Sequence, residues 1–391
     1  MSTCTRACVV VSVGASLRVS NCDRRRGGDG DQRSTHVRRA PMRCLVTGGS
    51  GYFGSLLVDR LLTDGHDVRN LDLLTADHPD GVEFVAGDVR DCAVVAEAVA
   101  DRDVVFHNVA QVPLAIDHHL LRSVNVDGTR VVLDACRDAG VSKVVHTSSS
   151  AVFGVPDSNP VLPSTVPKPE EAYGHAKLAA EWACLDAARD GLDVSIVRPR
   201  TILGHGRLGI FGILFDWIAD GADPVVLGDG SNRYQFVHAD DLADAIVRAG
   251  ATPGPGIFNI GTDRFGTMAE ALHHVCVHAG TGSRVRRVPT APTVALMRAT
   301  ARLGLTPFAP YHWLMYAKSM WFDVEPAREA LGWAPRWSTD EMFAQSFDWF
   351  LEHRSATMRD DASHHRRTTP QGALSAAKRL TKLFPLADVP E

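Results

Sequence analysis

Short apolar runs alternate with longer amphipathic segments along the chain between residue 42 and about residue 200. The short runs are rich in β-branched and aromatic residues, which favour strands, and the longer segments repeat apolar residues every three and four positions, as one face of a helix requires. The predicted strands are Cys44–Val46, Asp67–Asp72, Glu83–Ala86, Val104–Asn108, Lys143–Thr147 and Asp193–Val197. The predicted helices lie near Phe53–Thr63, Cys92–Val99, Leu120–Ala139 and Glu171–Arg189. This alternation predicts an α/β fold with a doubly wound parallel sheet.

The pattern changes after Arg198-Pro199, where glycine- and proline-rich loops, aromatic residues and shorter helices follow. We expect residues 42–200 to form the domain that carries the sheet. Residues 201–354 are expected to form mainly a smaller C-terminal lobe that covers the substrate, with 234–261 returning to the first domain.

Charge is distributed unevenly along the chain, whose formal net charge is −5. Residues 1–41 contain eight arginines and three aspartates, so they carry +5 and the rest of the chain −10. An acidic body and a leader rich in glycine and serine give no electrostatic footprint for nucleic acid. We expect 1–41 to be a disordered basic N-terminal extension and 355–391 a flexible tail. Met42 directly precedes the first predicted strand and is a candidate translation start.

The eight cysteines are scattered without a CxxC or a paired spacing, so we expect reduced thiols and a cytoplasmic protein. No run of about 18 apolar residues occurs, which argues against an integral membrane span. Adjacent histidine pairs are poorly spaced for one face of a helix and no HExxH occurs, so no metal is expected.

A glycine-rich loop follows the first predicted strand and opens the first predicted helix. Gly48 would allow the tight turn, Gly51 would let the backbone approach a pyrophosphate, and Gly54 would let helix and strand pack closely. The loop predicts that residues 42–200 form a Rossmann-type domain that binds a dinucleotide. The expected cofactor contacts in this loop are Gly48, Ser50, Gly51, Tyr52, Phe53 and Gly54.

Asp72 ends the second predicted strand, 18 residues after the last glycine of that loop. A carboxylate there can accept hydrogen bonds from the adenosine ribose hydroxyls and would repel a 2′-phosphate. Leu73-Leu74 supplies no cation for such a phosphate, so NAD is favoured over NADP. Asp88 and Val89, after the third strand, are placed to flank the adenine, although Asp88 equally fits a turn-forming residue after Gly87.

Tyr173 and Lys177 are four positions apart on a predicted helix, so they share one face. Ser149 ends the fifth predicted strand, at the sheet edge where open α/β sheets bind ligands. The pKa of a free tyrosine is about 10, and a nearby ammonium stabilises its phenolate. Tyr173 would remove an alcohol proton, Lys177 would hold the nicotinamide ribose and Ser149 would hydrogen-bond the reacting oxygen. Because no Gly-x-Ser-x-Gly elbow surrounds Ser149, a serine nucleophile is disfavoured.

With these residues, the chain resembles an extended short-chain dehydrogenase/reductase of the NAD-dependent epimerase/dehydratase superfamily over about residues 42–353. The resemblance includes Val105–Ala110, Asn125–Thr129, Arg198-Pro199, Phe236–Ala243, Phe258–Gly261 and Leu331–Pro335. It implies that Val109, Ala110 and Asn125 line the cofactor and that Pro199 and Thr201 approach the nicotinamide carboxamide.

Two residues of these motifs have structural alternatives, and the family also implies an assembly. Asn125 also fits a buried helical residue that hydrogen-bonds its surroundings, and His238 fits a core histidine better than a catalytic one. The resemblance implies a homodimer that forms through the helix of Tyr173 and the helix Leu120–Ala139.

The position after Ser149 separates branches of the superfamily. Nucleotide-sugar 4,6-dehydratases carry an acidic pair there, whereas this chain has Ser150 and Ala151. The run from Ser149 to Gly154 is more similar to that of sugar-nucleotide 4-epimerases, with Phe153 in place of the usual tyrosine. The resemblance therefore favours an epimerase over a dehydratase.

The expected substrate contacts are Gln111, Ser149, Arg207 and Arg233. The segment around Arg233 resembles the epimerase segment in which an arginine binds the diphosphate. Arg233 stands one residue earlier than that arginine, so Arg207 is a second candidate.

The second lobe contains apolar runs at Ile210–Phe215, Trp313–Tyr316 and Met320–Phe322. Such runs usually form core, but they also fit a pocket for a steroid or a long-chain hydroxy acid. The favoured function is an NAD-dependent epimerase of a nucleotide-linked sugar that works through a transient keto intermediate. The alternative is an NAD-dependent 3β-hydroxysteroid or related secondary-alcohol dehydrogenase, and a third hypothesis is a non-catalytic NAD sensor.

Overall fold

A seven-stranded parallel sheet lies at the centre of the computed structural model, which describes residues 40–357 apart from 77, 112–116, 207, 209–210 and 304–314. The strands are β1 Arg43–Thr47, β2 Asp67–Asp72, β3 Glu83–Ala86, β4 Val104–His107, β5 Lys143–Thr147, β6 Val194–Pro199, β7 Thr201–Leu203, β8 Val225–Leu227, β9 Phe236–His238, β10 Gly256–Ile260 and β11 Arg286–Val288. The sheet order is β10-β6-β5-β4-β1-β2-β3, and every neighbouring pair is parallel. Two short parallel pairs, β7 with β9 and β8 with β11, lie outside this sheet.

Helices cover both faces of the sheet. They are α1 Tyr52–Thr63, α2 Cys92–Val99, α3 His118–Arg122, α4 Thr129–Asp138, α5 Ala172–Arg189, α6 Phe211–Ala219, α7 Ala239–Gly250, α8 Met268–Ala279, α9 Thr290–Arg302, α10 Glu325–Leu331 and α11 Thr339–Thr357. In β1, Cys44 and Val46 belong to the buried cluster that includes Leu57 of α1, whereas Leu45 belongs to the cluster on the opposite face. This alternation arises because successive side chains of a strand point to opposite faces.

The predicted fold class and the six predicted strands are confirmed, and the structure adds a seventh strand. β10 pairs in parallel with β6, from Gly256 beside Ser195 to Ile260 beside Pro199. The sequence pattern did not identify β10 as a strand because its apolar run is short and directly follows a turn rich in glycine and proline.

The helix predicted over Leu120–Ala139 is divided into three parts. Between α3 and α4 lies a π-helical segment, Ser123–Gly128. Thr129 Oγ1 donates to the carbonyl of Asn125 at 2.8 Å, and the Asn125 side chain is turned to the loop after β4. A local π-helical bulge of this kind often marks a functional position.

The aromatic residues of the second lobe pack on one another. The Phe343 ring lies 5.0 Å from Phe211, 5.2 Å from Phe236 and 6.2 Å from Phe215, all close to edge-on. Offset and edge-on rings of this kind stabilise a core beyond their buried area. Phe211 and Phe215 of the apolar runs are therefore core residues, while Ile210, Trp313 and Leu314 lie outside the described residues.

A buried ion pair joins α5 to β6. Arg198 donates from Nε and Nη2 to the two carboxylate oxygens of Glu181 at 2.8 and 2.6 Å, and both side chains are at most 3% exposed. Ser148 Oγ adds a third hydrogen bond to Glu181 at 2.5 Å, and the Arg198 guanidinium lies 5.0 Å from the Phe153 ring. This bidentate geometry fixes the distance between the helix and the strand.

Arg198→Met should destabilise the protein by about 3–5 kcal/mol, because it leaves the Glu181 carboxylate buried without a cation. Equilibrium unfolding in urea, followed by circular dichroism, measures the change. Arg137→Met is the matched control, since Arg137 pairs with Asp134 on the surface of α4, and it should change stability by less than about 0.5 kcal/mol. Equal effects of the two substitutions would contradict the expectation.

Candidate functional site

The glycine loop between β1 and α1 has the shape of a cradle for an anion. Gly48 has a φ of +76°, which glycine adopts without strain, and its N–H donates to the carbonyl of Leu71 at 2.8 Å. A Cβ on Gly54 would overlap the Gly48 carbonyl oxygen, and a Cβ on Gly48 would lie 3.0 Å from Val109. Gly51 caps α1 without a side chain, which leaves the first N–H groups of the helix for a phosphate. The loop fits the pyrophosphate of a dinucleotide.

Asp72 lies beside this loop at the carboxyl end of β2. Its Oδ2 accepts the N–H of Ser50 at 3.1 Å and its Oδ1 accepts the N–H of Leu74 at 3.4 Å. The side chain is half-buried, and Leu73 and Leu74 beside it are exposed and carry no charge. The arrangement fits a ribose with free hydroxyls.

Asn70 is a buried residue of β2 that the sequence analysis missed. Its Oδ1 accepts the N–H of Gly49 at 2.9 Å, and its Nδ2 lies 3.0 Å from Ser50 Oγ and 2.8 Å from His78 Nε2. A Cβ on Gly49 would overlap the Asn70 side chain. The available signal was an asparagine next to the apolar Leu71 in a predicted strand.

The Asp88 carboxylate is engaged by a neighbouring arginine. Arg90 donates to it from Nε at 2.9 Å and from Nη2 at 2.5 Å, and these bonds hold the pKa of Asp88 below its usual value. The Asp88 carbonyl accepts the N–H of Asp91 at 2.9 Å, which closes a turn. The Val89 side chain is buried against Gly128. Asp88 and Val89, the residues predicted to contact the adenine, thus follow β3, and the Asp88 carboxylate is already paired with Arg90.

Asn125 holds the loop that follows β4. It is 1% exposed, its Oδ1 accepts the N–H of Gln111 at 2.7 Å, and its Nδ2 donates to the Gln111 carbonyl at 2.9 Å. These two bonds fix the backbone next to Val109 and Ala110, which are half-buried beside the glycine loop. In this structure Asn125 acts as a positioning residue for the loop.

A chain of hydrogen bonds passes through His107, the last residue of β4. Because Thr129 Oγ1 donates to the Asn125 carbonyl at 2.8 Å, it accepts from His107 Nε2 at 3.0 Å. His107 Nδ1 then accepts from Thr47 Oγ1 at 2.8 Å. Burial, with the nearby charge of Lys177, lowers the pKa of His107 to about 3, so the ring is neutral.

Ser149 caps a short 3-10 turn, Ser150–Phe153, directly after β5. Its Oγ accepts the N–H of Ala151 at 3.2 Å, and its side chain is half-buried. Ser150 and Ala151 are buried inside the turn. Neither position offers a carboxyl group.

Tyr173 lies in the first turn of α5, which docks on the Ser149 turn. Glu171 caps the helix and accepts the N–H groups of Tyr173 and Gly174 at 2.8 and 2.7 Å. A Cβ on Gly174 would overlap the carbonyl oxygen of Ala151, so only glycine permits this approach. The sequence analysis did not single out Gly174, although it lies inside the Tyr-x-x-x-Lys motif.

Lys177 lies one turn further along α5 and is buried, with its Nζ donating to the carbonyl of Thr147 at 2.8 Å. Burial lowers the pKa of Lys177 to about 8, although Cys184 and Glu181 on the same helix favour its charge. His146 of β5 is also buried, and burial together with Lys177 lowers its pKa. Lys177 remains a cation at neutral pH and lies at the carboxyl end of β5.

The predicted nicotinamide and substrate residues are distributed over the second lobe. Thr201 Oγ1 lies 3.0 Å from Tyr234 Oη, directly after β6 and Pro199. Arg233 is exposed, and its guanidinium lies 4.8 Å from the Phe265 ring and 4.9 Å from the Trp321 ring. Arg207 lies outside the described residues.

Comparison with known proteins identifies one family. The family model described as NAD dependent epimerase/dehydratase family matches residues 44–261. The chain is 48% identical to the uncharacterized protein y4nG of Sinorhizobium fredii, over 87% of each chain. It is 33% identical to a UDP-glucose 4-epimerase of Mycolicibacterium smegmatis, over 79% of this chain and 98% of that protein. It is 31% identical to a 3 beta-hydroxysteroid dehydrogenase/Delta 5-->4-isomerase of Mycobacterium tuberculosis, over 79% of this chain and 90% of that protein.

Solved structures share the fold. A UDP-glucose 4-epimerase from Thermotoga maritima in complex with UDP-glucose superimposes with a TM-score of 0.66 at 23% identity, covering 80% of this chain and all of that one. MoeE5 in complex with UDP-glucuronic acid and NAD superimposes with a TM-score of 0.64 at 25% identity, covering 79% of this chain and 99% of that one.

No helix among the described residues is long and apolar enough to cross a membrane. Within the same residues, no group of three or more histidine, cysteine, aspartate or glutamate side chains is arranged to hold a metal ion.

Asp72→Ala should weaken NAD binding at least about tenfold, equivalent to about 1.4 kcal/mol, because it removes the carboxylate acceptor for the ribose hydroxyls. It should also narrow the preference for NAD over NADP, since the repulsion of a 2′-phosphate is lost. Calorimetric titration of both nucleotides measures the two effects. Asp80→Ala, an exposed carboxylate of the following loop, should change neither Kd, and unchanged NAD binding in Asp72→Ala would contradict the assignment.

Proposed function

This chain belongs to the NAD-dependent epimerase/dehydratase family, and we propose that within it the protein is an NAD-dependent epimerase of a nucleotide-linked sugar. The central observation is the grouping of Ser149, Tyr173 and Lys177 at the carboxyl end of β5 and the start of α5. The buried ammonium of Lys177 favours a phenolate on the same helix face.

The proposed chemistry begins with a proton transfer. Tyr173 Oη, as phenolate, accepts the proton of a sugar hydroxyl, while Ser149 Oγ hydrogen-bonds the same oxygen. Lys177 would hold the nicotinamide ribose, and its charge stabilises the phenolate. NAD, when bound, would supply a reversible acceptor for the hydride, so that the keto sugar can be reduced from its other face. Tyr173 then gives its proton back to the new hydroxyl, so no proton or hydride is consumed.

The positions after Ser149 favour epimerisation over dehydration. Elimination at neighbouring carbons needs a second acid and base, and the buried Ser150 and Ala151 provide neither.

A steroid or related secondary-alcohol dehydrogenase is the second candidate. It is supported by the similarity to the mycobacterial 3 beta-hydroxysteroid dehydrogenase at 31% identity. The apolar runs of the second lobe no longer favour it, because Phe211, Phe215 and Phe322 are buried in the core of the protein.

The remaining assignments are also proposals. Residues 42–200 are proposed to bind NAD and 201–354 mainly to bind the substrate, with Gln111, Arg207 and Arg233 as contacts. We propose a homodimer through α5 and the helical segments α3 and α4, which is supported by Trp182 of α5 being 59% exposed. A cytoplasmic location is supported by the free thiols at Cys44, Cys92, Cys136, Cys184 and Cys276.

The purified protein should interconvert UDP-glucose and UDP-galactose, or another pair of nucleotide-sugar epimers, with NAD bound and no free NADH released. Tyr173→Phe should lower this rate by about 100-fold or more, because the proton acceptor is lost, while NAD content stays near that of the wild type. Mass spectrometry of the nucleotide and chromatography of the sugar measure both.

Other outcomes of this experiment point elsewhere. Free NADH that appears only with a hydroxysteroid or another alcohol, without a sugar isomer, would establish the dehydrogenase instead. A Tyr173→Phe protein that keeps full function in cells while binding NAD would contradict both enzymes and support an NAD sensor.

The rate should fall as pH rises above about 8, because Lys177 loses its charge near that pH rather than near 10.5. Neutral Lys177 no longer stabilises the Tyr173 phenolate, and the neighbouring His107 and His146 are already neutral there and cannot replace it. A profile of log kcat/KM against pH measures the decline. Lys177→Arg should lower the rate but flatten the alkaline decline, since guanidinium stays charged. An alkaline decline that is unchanged in Lys177→Arg would assign it to another group.

A further inference from the structure

Arg200 connects β6 to β7 and is almost completely withdrawn from solvent. The residue is 1% exposed, and its N–H donates to the carbonyl of Ile260 in β10 at 2.9 Å. This backbone bond fixes Arg200 at the carboxyl end of the sheet, one residue before Thr201.

The guanidinium of Arg200 lies over two aromatic rings and has no counter-ion among the residues that the structure describes. Its centre is 4.7 Å from the Tyr234 ring and 5.6 Å from the Phe322 ring. Nη1 approaches the sulfur of Met320 at 3.1 Å, and a thioether is a weak acceptor. Nε and Nη2 are buried, and neither has a hydrogen-bond partner in the described part of the chain.

Arg198, two residues earlier, shows how this chain satisfies a buried arginine when the role is structural. Its Nε and Nη2 donate to both carboxylate oxygens of Glu181. The Arg200 guanidinium instead lies over two aromatic rings. This contact offsets only part of the free-energy cost of burying a charge. An unsatisfied buried charge calls for an explanation, and a bound group that accepts from its free donors would supply one.

A second unsatisfied donor lies in the same aromatic cluster. The hydroxyl of Tyr316 is buried without a partner, and its ring lies 6.2 Å from Phe211. The Phe211 ring is 5.6 Å from Phe236, which in turn is 5.0 Å from the Tyr234 ring that stacks on Arg200. Three ring contacts therefore separate Tyr316 from Arg200, and the free donors of Arg200 by themselves suit an acceptor-rich anion.

The place of Arg200 relative to the reaction site is set by two contacts. The Phe322 ring, beneath the guanidinium, lies 5.7 Å from the ring of Phe153, the last residue of the turn that Ser149 caps. Thr201, which is predicted to approach the nicotinamide, is hydrogen-bonded to Tyr234, whose ring is the second one that the guanidinium contacts. One aromatic ring therefore separates Arg200 from the Ser149 turn, and another separates it from Thr201.

We propose that Arg200 binds an anionic group of the substrate, either a carboxylate on the sugar ring or a phosphoryl oxygen of the diphosphate. The inference rests on the proposed function, because a nucleotide-linked sugar carries the diphosphate and a uronic acid adds the carboxylate. It makes Arg200 a residue that determines substrate specificity.

Arg200→Met tests this with the NAD-loaded protein and three probes, which are UDP, UDP-glucose and UDP-glucuronic acid. Calorimetric titration should show at least a tenfold loss of affinity. If the anion is the sugar carboxylate, only UDP-glucuronic acid loses affinity, and if it is the diphosphate, all three probes do. Arg200→Lys should recover part of the lost affinity, since it restores a cation.

Unfolding in urea without the probes gives an independent readout. Arg200→Met should be at least as stable as the wild type, because it removes unpaired donors, whereas Arg198→Met, the matched control, should be clearly less stable. Wild-type affinity for all three probes in Arg200→Met, or a stability loss equal to that of Arg198→Met, would overturn the proposal. If the wild type itself binds none of the probes, the proposed function fails, and the stability comparison alone decides whether Arg200 awaits an anion.

Discussion

The close approach of α5 to the end of β5 is the constraint on which the site depends. Gly174 has no Cβ, so the helix lies directly on the carbonyl of Ala151, and one turn later Lys177 donates to the carbonyl of Thr147. These two contacts determine how far Tyr173 stands from the Ser149 turn. A side chain at position 174 would push the helix away and separate Tyr173 from the Ser149 turn, even with the glycine loop intact.

Three buried cations near the candidate site differ in how many of their donors are paired. Arg198 is fully paired by Glu181, which makes it a structural tie between α5 and β6. Lys177 has one carbonyl partner and a lowered pKa, a state that lets it serve as a cation while it remains sensitive to pH. Arg200 lies over two aromatic rings and keeps two donors without a partner in the described part of the chain. The cation with a structural role is therefore fully paired, whereas the other two keep hydrogen-bond donors that no described residue accepts.

The parts of the protein that depend on local pattern could be predicted from the sequence, and the parts that depend on distant contacts could not. The glycine loop, Asp72 and the Tyr173–Lys177 pair have fixed spacings, so their placement at the carboxyl edge follows from the order of strands and helices. Asn70 was missed because its partner Gly49 is 21 residues away, and no periodicity signals such a bond. For Asn125 the sequence analysis included the role of a buried hydrogen-bonding residue, but it could not identify the partner, Gln111, which is 14 residues away.

The second lobe packs against the start of α1, next to the glycine loop. Gly204, after β7, has a φ of +142°, and a Cβ there would lie 3.4 Å from Tyr52 Oη and 3.3 Å from His238 Nε2. His238 stacks on Trp337 at 4.3 Å and bonds Gln345 at 2.6 Å, so it is a satisfied core histidine, and burial lowers its pKa. Because Tyr52 begins α1, the segment after β7 is packed against the start of the helix that follows the glycine loop. Substitutions near Gly204 should therefore be assessed for their effect on the glycine loop as well as on the second lobe.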